Sequence, residues 1–223
     1  MMSVSAPPRV QSRLRSAPDG PVPIVHHGAD ALYVMVADRV VGVVGTEAVA
    51  VPCALRTRLP RLPRVAAAAV LGGVLHLDGV SLRVGRLLDV GVPPLRAARR
   101  TAGPPPGDVA TMIGRGDGLT PYQDDVLCGW LAVHRAAGIA TPEVDAAVRA
   151  HLHRTTLLSA TLLDCALHGE AIPEFVAWLA ALGTPDAVRR SVALTAVGHS
   201  SGRGLRQGAL AALSQISPVE GAA

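Results

Sequence analysis

Short runs of β-branched and aliphatic residues alternate with turn residues through the first part of the chain, and longer runs at helical spacing fill the rest. Ala31 to Val36, Val40 to Val44 and Ala48 to Val51 read as strands, separated by turns at Asp38-Arg39 and Gly45-Thr46. Val74 to Leu77, Asp78-Gly79 and Val80 to Val84 spell a hairpin, because Asp-Gly suits a two-residue turn with positive φ at both positions. Arg86 to Val90 adds a further strand. Val65 to Leu71 is compatible with a short helix, although a run of that length has no decisive period. Residues 22–93 thus form a small β-rich domain, preceded by a Pro-, Ser- and Arg-rich stretch, 1–21, that reads as a mobile leader.

Val92-Pro93-Pro94 ends the β region. Residues 94–111 read as a linker in which Leu95 to Arg100 can form a helical turn or two, and Gly103-Pro104-Pro105-Pro106-Gly107 is stiff and non-helical. Residues 112–217 read as a helical domain. One helix runs from Asp124 to Ala137 and stops at Gly138, a natural C-terminal cap position. A second starts at Thr141-Pro142-Glu143 and can run to His168. Pro173 to Leu182, Asp186 to about Val197 and Gly204 to Leu213 supply three more. Residues 218–223 form a tail. The expected fold class is α+β, a small β-rich N-terminal domain followed by a compact all-helical C-terminal domain.

Composition narrows the function classes. Hydrophobic residues make up 49% of the 223 and charged residues only 17%, which fits a globular protein. Lysine is absent, and arginine alone sets the net charge of +4. The arginines are scattered and aromatics are 2%, too few for base stacking, so nucleic acid is discounted as a partner. Arg56, Arg58, Arg61 and Arg64 form the densest basic run, read as a solvated loop edge. Cys53, Cys128 and Cys165 lack the spacing of a disulfide framework or a zinc site. The longest apolar run, Val65 to Leu75, is too short to span a bilayer, and no signal peptide is visible; the expectation is a cytoplasmic protein with no membrane partner.

Three polar segments interrupt the helical half. In Gly114-Arg115-Gly116-Asp117-Gly118-Leu119-Thr120-Pro121-Tyr122-Gln123-Asp124-Asp125, glycines at alternate positions let a ligand approach the backbone. Thr120-Pro121 reads as helix cap and first helical residue, and Gln123 stands at capping-box spacing from Thr120. A glycine loop feeding a helix N-terminus suits an anion. Asp124 and Asp125 fall in the first turn, where they offset the helix dipole or help hold a hard cation such as magnesium; no other cofactor is implied and no metal site is assigned. Thr155 and Ser159 lie one turn apart in the second segment, with Thr156 between them. The third, Gly198-His199-Ser200-Ser201-Gly202, places an imidazole between glycine and two hydroxyls, which can serve an oxyanion or a proton transfer. Each has a plain alternative: capping acids, hydroxyls bonded to their own helix, and a helix–helix connector.

Taken together, GRGDGLTPYQDDVLCGWL, TTLLSATLL and GHSSGRGLRQGAL resemble an uncharacterised-domain family that includes the small subunit of oxamate carbamoyltransferase, an enzyme of anaerobic purine and allantoin breakdown. The resemblance is good over the helical half and loose over the β-rich half. It implies a transferase subunit that works beside two larger subunits on oxamate and carbamoyl phosphate, binding a small anion or amide. It also implies that His199, Asp124 and Asp125 are catalytic candidates. Gly116, Gly118, Leu119, Thr120, Thr155, Thr156, Ser159, Gly198, Ser200, Ser201 and Gly202 are the binding candidates. Two departures stand out: Asp117 replaces a proline of the pattern GxGxGLTPSGDDxLxGxL, and Tyr122-Gln123 replaces Ser-Gly. They leave room for a stand-alone enzyme acting on another small amide or carboxylate. The lack of a recognisable nucleophile–base pair leaves room for a non-catalytic scaffold or regulatory subunit.

Overall fold

The computed structural model describes residues 1–97 and 101–216, and the chain divides into two units, Met1–Val90 and Gly91–Ala223. The fold is α+β: one β-sheet builds the first unit and helices build the second. Among the described residues no helix is long and apolar enough to cross a membrane.

The first unit contains β1 (Met2–Ala6), α1 (Pro8–Ser16), β2 (Gly20–Pro21), β3 (Ile24–His27), β4 (Ala31–Val36), β5 (Arg39–Val44), β6 (Ala54–Arg56), β7 (Ala68–Leu71), β8 (Val74–Leu77) and β9 (Val80–Leu87). They form one nine-stranded sheet in the order β2-β7-β8-β9-β1-β6-β5-β4-β3. The stretch expected to be a mobile leader is therefore strand and helix. β1 lies in the middle of the sheet, parallel to β9 and antiparallel to β6. It buries Val4 and Ala6 at strand alternation, and α1 buries Val10 and Leu14 one turn apart in the same core. Four apolar positions suffice to anchor the segment, and the surrounding Pro and Arg residues hide them in the composition.

β4 and β5 pair as a hairpin, with Val36 opposite Arg39. Both are buried on two faces: Leu32, Val34, Val41 and Val43 join the main core, while Tyr33, Val40 and Val44 are buried on the other side. That double burial is why they read as near-continuous valine runs. At the β8–β9 hairpin, Asp78 and Gly79 take φ of 46° and 79°, the positive pair expected of Asp-Gly. Two expectations fail, and one open reading is settled. Ala48 to Val51 is loop, and the strand lies later, at Ala54–Arg56. Val65 to Leu71, whose period left helix and strand open, contains β7, because β2 and β8 supply ladder partners on either side. Arg86 opens no separate strand, since β9 runs unbroken to Leu87.

The second unit contains α2 (Val109–Met112), α3 (Tyr122–Ala136), α4 (Pro142–His151), a 3-10 turn at Leu152–Arg154, α5 (Leu157–Leu167), α6 (Pro173–Ala180), α7 (Ala187–Thr195) and α8 (Ser201–Ile216). Leu95 to Ala97 has no regular structure; Ala98 to Arg100, the rest of that expected turn, and the 218–223 tail lie outside the described residues. α3 packs against α5 and α8 and is buried all round from Asp124 to Ala136, save for Arg135. Trp130, Leu163, Phe175 and Leu194 fill the core around it. Gly138 closes α3 at φ 65°, and the next amide, of Ile139, returns to the His134 carbonyl at 2.9 Å. The single helix expected from Thr141 to His168 is broken. Thr155 is extended, and Thr156 caps α5 by accepting the Ser159 amide at 3.1 Å. A hydroxyl that can cap a helix competes with continuing one.

Candidate functional site

Residues from all three polar segments meet around the start of α3. The helix begins one residue later than expected. Pro121, with φ −52° and ψ 138°, precedes its first residue, Tyr122, and no side chain caps it. The Gln123 amide donates to the Arg115 carbonyl at 3.1 Å, so the capping box does not form. Thr120 is thereby released from capping, and its Oγ1 lies 2.8 Å from Ser201 Oγ at the start of α8.

Asp124 is fully buried and holds the first two segments together. Its Oδ1 accepts the Gly114 amide at 2.8 Å, and its Oδ2 accepts the hydroxyls of Thr155 at 2.5 Å and Ser159 at 2.6 Å. Gly114 is needed twice over: its φ is 81°, and a Cβ there would strike the Arg154 carbonyl oxygen. Thr156 Oγ1 donates to the Leu119 carbonyl at 2.5 Å and pins the loop from the other side. Thr155 and Ser159 therefore act together, although Thr155 precedes the helix rather than sharing a face of it. The donors around Asp124 are N–H and O–H groups, which present hydrogens where a cation would need electron pairs, so Asp124 does not fit a magnesium ligand. Among the described residues no three His, Cys, Asp or Glu side chains form a metal cage.

Asp125 differs from its neighbour. It is 5% exposed, and its Oδ2 is buried without a hydrogen-bond partner. Burial is the main cause that pushes its pKa up to about 7; the Ser201 hydroxyl pulls it down, the Asp124 charge raises it, and the Thr120 hydroxyl lowers it. The site thus holds a carboxyl group that exchanges its proton near neutrality. Cys128, one turn further along α3, is no nucleophile: burial, then Asp125 and Asp124, drive its thiol pKa well up.

The closeness of α3 and α8 comes from glycine, a signal present in the sequence as Gly204-x-x-x-Gly208-x-x-x-Ala212. A Cβ on Gly204 would come within 2.8 Å of Asp125 Cβ and 3.0 Å of the Tyr122 carbonyl oxygen. One on Gly208 would strike the Val126 carbonyl oxygen, and one on Gly129 of α3 would strike that of Leu205. The bare backbones let Ser201 reach Thr120 and Asp125. Tyr122, the bulky departure, donates its phenol O–H to Gln207 Oε1 at 2.5 Å and adds a further tie to α8.

The loop itself is open. Gly116 and Gly118 take φ of 124° and 86°, and Gly118 has nothing within 4 Å of a would-be Cβ. Among the described residues the amides of Asp117, Gly118 and Leu119 have no intramolecular acceptor. In the third segment only Ser201 is bonded into the cluster. Gly202 sits against the Leu194 carbonyl, Ser200 is half-buried, and Gly198 and His199 are exposed.

No curated protein and no solved structure matches the chain. The family model described as oxamate carbamoyltransferase subunit AllH matches residues 112–213, a span that holds all three polar segments and excludes the β-sheet. Over residues 112–213 the chain is thus similar to the oxamate carbamoyltransferase subunit AllH family.

Proposed function

We propose that the helical unit is the part of a carbamoyltransferase subunit that binds a small carboxylate or amide, with oxamate the leading ligand, and that Asp125 handles a proton there. The observation that carries this reading is Asp125: a buried carboxyl with a pKa of about 7, bordered by Thr120 and Ser201 and one helical residue from a saturated acid. The free amides of Asp117 to Leu119 would receive a carboxylate or carbamoyl oxygen. Asp117, acidic where the pattern has proline, lies on that same loop and favours a ligand with a neutral amide end over a multiply charged one.

Transfer to oxamate forms a bond between its amide nitrogen and the carbamoyl carbon, breaks the bond from that carbon to the phosphate oxygen, and releases one N–H proton. Ionised Asp125 would accept that proton, and protonated Asp125 would return it in the reverse direction. Asp124 would act at one remove, as a positioning residue holding the loop to α5. His199 would approach the reacting carbonyl from the solvent side. The two larger subunits would supply the rest of the site. A second reading, a non-catalytic subunit whose polar turns form an interface, draws on Leu119 and Leu157. These are 47% and 50% exposed on either side of the Thr156–Leu119 hydrogen bond.

The test is calorimetric titration of the purified chain with oxamate, oxalurate and carbamoyl phosphate, for wild type, Asp125→Asn and Thr120→Val. Saturable binding of one of these, weakened at least tenfold in both variants, is expected. Equal binding by all three proteins refutes the site, and no binding to the chain, alone or with its partner subunits, favours the interface reading.

A further inference from the structure

Every residue named in the proposed function belongs to the second unit, whereas Arg56 and Arg58, from the densest arginine run, belong to the first. A cavity of about 300 Å³ is lined there by Ser3, Ser5, Arg56, Arg58, Gly85 and Arg86, among others, with no carboxylate in its lining. The volume lies at the small end of ligand sites. Strand register explains how the arginines come together. Ser5 on β1 pairs with Arg56 on β6 and also with Arg86 on β9, so the three form a row across adjacent strands, and cross-strand partners share a face.

A β-bulge makes that row possible. Val4 pairs with Val84, but Ser5 pairs with Arg86, so Gly85 is the inserted residue. In regular register Arg86 would oppose Ala6, which is fully buried in the core, and its side chain would face inward. The bulge turns it to the Ser5 side. Gly85 also keeps the cavity open, since a Cβ there would come within 2.7 Å of Ser3 Oγ. Arg56 is held in place through its Nη2, which donates to the Ala50 carbonyl at 3.1 Å, and Arg58 follows buried Thr57 to the rim.

We infer that this cavity is a binding site for a small phosphate-type oxyanion. Guanidinium groups match the oxygen pairs of such an anion in a fork, and the serine hydroxyls add neutral donors. Three cations on one face with no acid between them favour a multiply charged guest over a monocarboxylate.

The experiment titrates the full chain with inorganic phosphate, pyrophosphate and acetate at fixed ionic strength, by calorimetry. Wild type, Arg86→Ala, Arg58→Ala, Arg86→Lys, Arg189→Ala and Asp125→Asn are compared. Arg86 and Arg58 are exposed, so their variants keep the fold, and Arg189→Ala removes the same charge from an exposed position of the second unit. The inference expects saturable phosphate or pyrophosphate binding that exceeds acetate. It should fall at least tenfold in Arg86→Ala and Arg58→Ala and partly in Arg86→Lys, and stay unchanged in Arg189→Ala. Tighter pyrophosphate than phosphate would mark a diphosphate guest, and the reverse a single phosphoryl group. No saturable binding by wild type, or equal losses in Arg86→Ala and Arg189→Ala, overturns it. A loss confined to Asp125→Asn would instead place phosphate in the helical unit.

Discussion

Asp125→Asn changes the pH dependence of stability in a direction the structure determines. The folded carboxyl keeps its proton up to about pH 7, whereas the unfolded one releases it near 3.8. Between those values the unfolded state binds fewer protons, so unfolding grows easier as pH rises. The stabilisation is complete below about pH 4, declines through the interval, and is gone above about 7. The full interval corresponds to roughly 4 kcal/mol, and the part between pH 5 and 8 to roughly 3 kcal/mol. Asparagine is neutral throughout and nearly the same shape, so it removes this slope while other groups cancel in the difference. Both tryptophans, Trp130 and Trp178, lie in the helical unit and are buried, so their fluorescence follows that unit alone. Urea unfolding at pH 5, 6, 7 and 8 should show Asp125→Asn gaining on wild type by roughly 3 kcal/mol across the series. A constant difference between the two proteins would refute the reasoning, because it would mean that Asp125 titrates alike in both states.

Three further outcomes follow from the packing. Asp124→Ala strands three donors, of which that of Ser159 is fully buried, and should cost about 2–4 kcal/mol in urea unfolding; a cost below about 1 kcal/mol contradicts the tie it makes. Gly208→Ala drives a methyl into the Val126 carbonyl and should destabilise the helical unit by about 3 kcal/mol or more, whereas Ala212→Gly, further along the same face, should cost about 1 kcal/mol; equal effects would mean the helices are not in backbone contact. Leu14→Ala empties a fully buried position in the first unit and should cost about 2–5 kcal/mol, measured by circular dichroism; a mobile leader would show no change.

Much of the fold in both halves was legible because its punctuation is local. Gly138 ends α3 and Asp78-Gly79 turns its hairpin through backbone conformations that other residues reach at a cost, so the residue types point straight to the geometry. The misreadings arose where a tertiary partner decides between local options. Thr120-Pro121 looks like a cap, but Ser201, distant in sequence, takes the Thr120 hydroxyl and the helix starts later. Thr156 could continue a helix or cap one, and Leu119 settles the choice by accepting its hydrogen. Val65 to Leu71 has no period of its own, and its second half, Ala68–Leu71, is strand because β2 and β8 lie on either side. The meeting of the three polar segments was not readable from spacing at all. It depends on Asp124 gathering donors from two of them and on glycines in α3 and α8 letting Ser201 approach. His199 remains a candidate by residue type, with an exposed ring and no bond into the cluster.

The most direct test of the central claim is the pH–rate profile of carbamoyl transfer to oxamate by the reconstituted complex containing this chain. With Asp125 handling the proton, the wild-type kcat/KM profile should bend near pH 7, and Asp125→Asn should lose that inflection together with at least a hundredfold in rate. An Asp125→Asn complex that keeps both the wild-type rate and the wild-type profile would contradict the account.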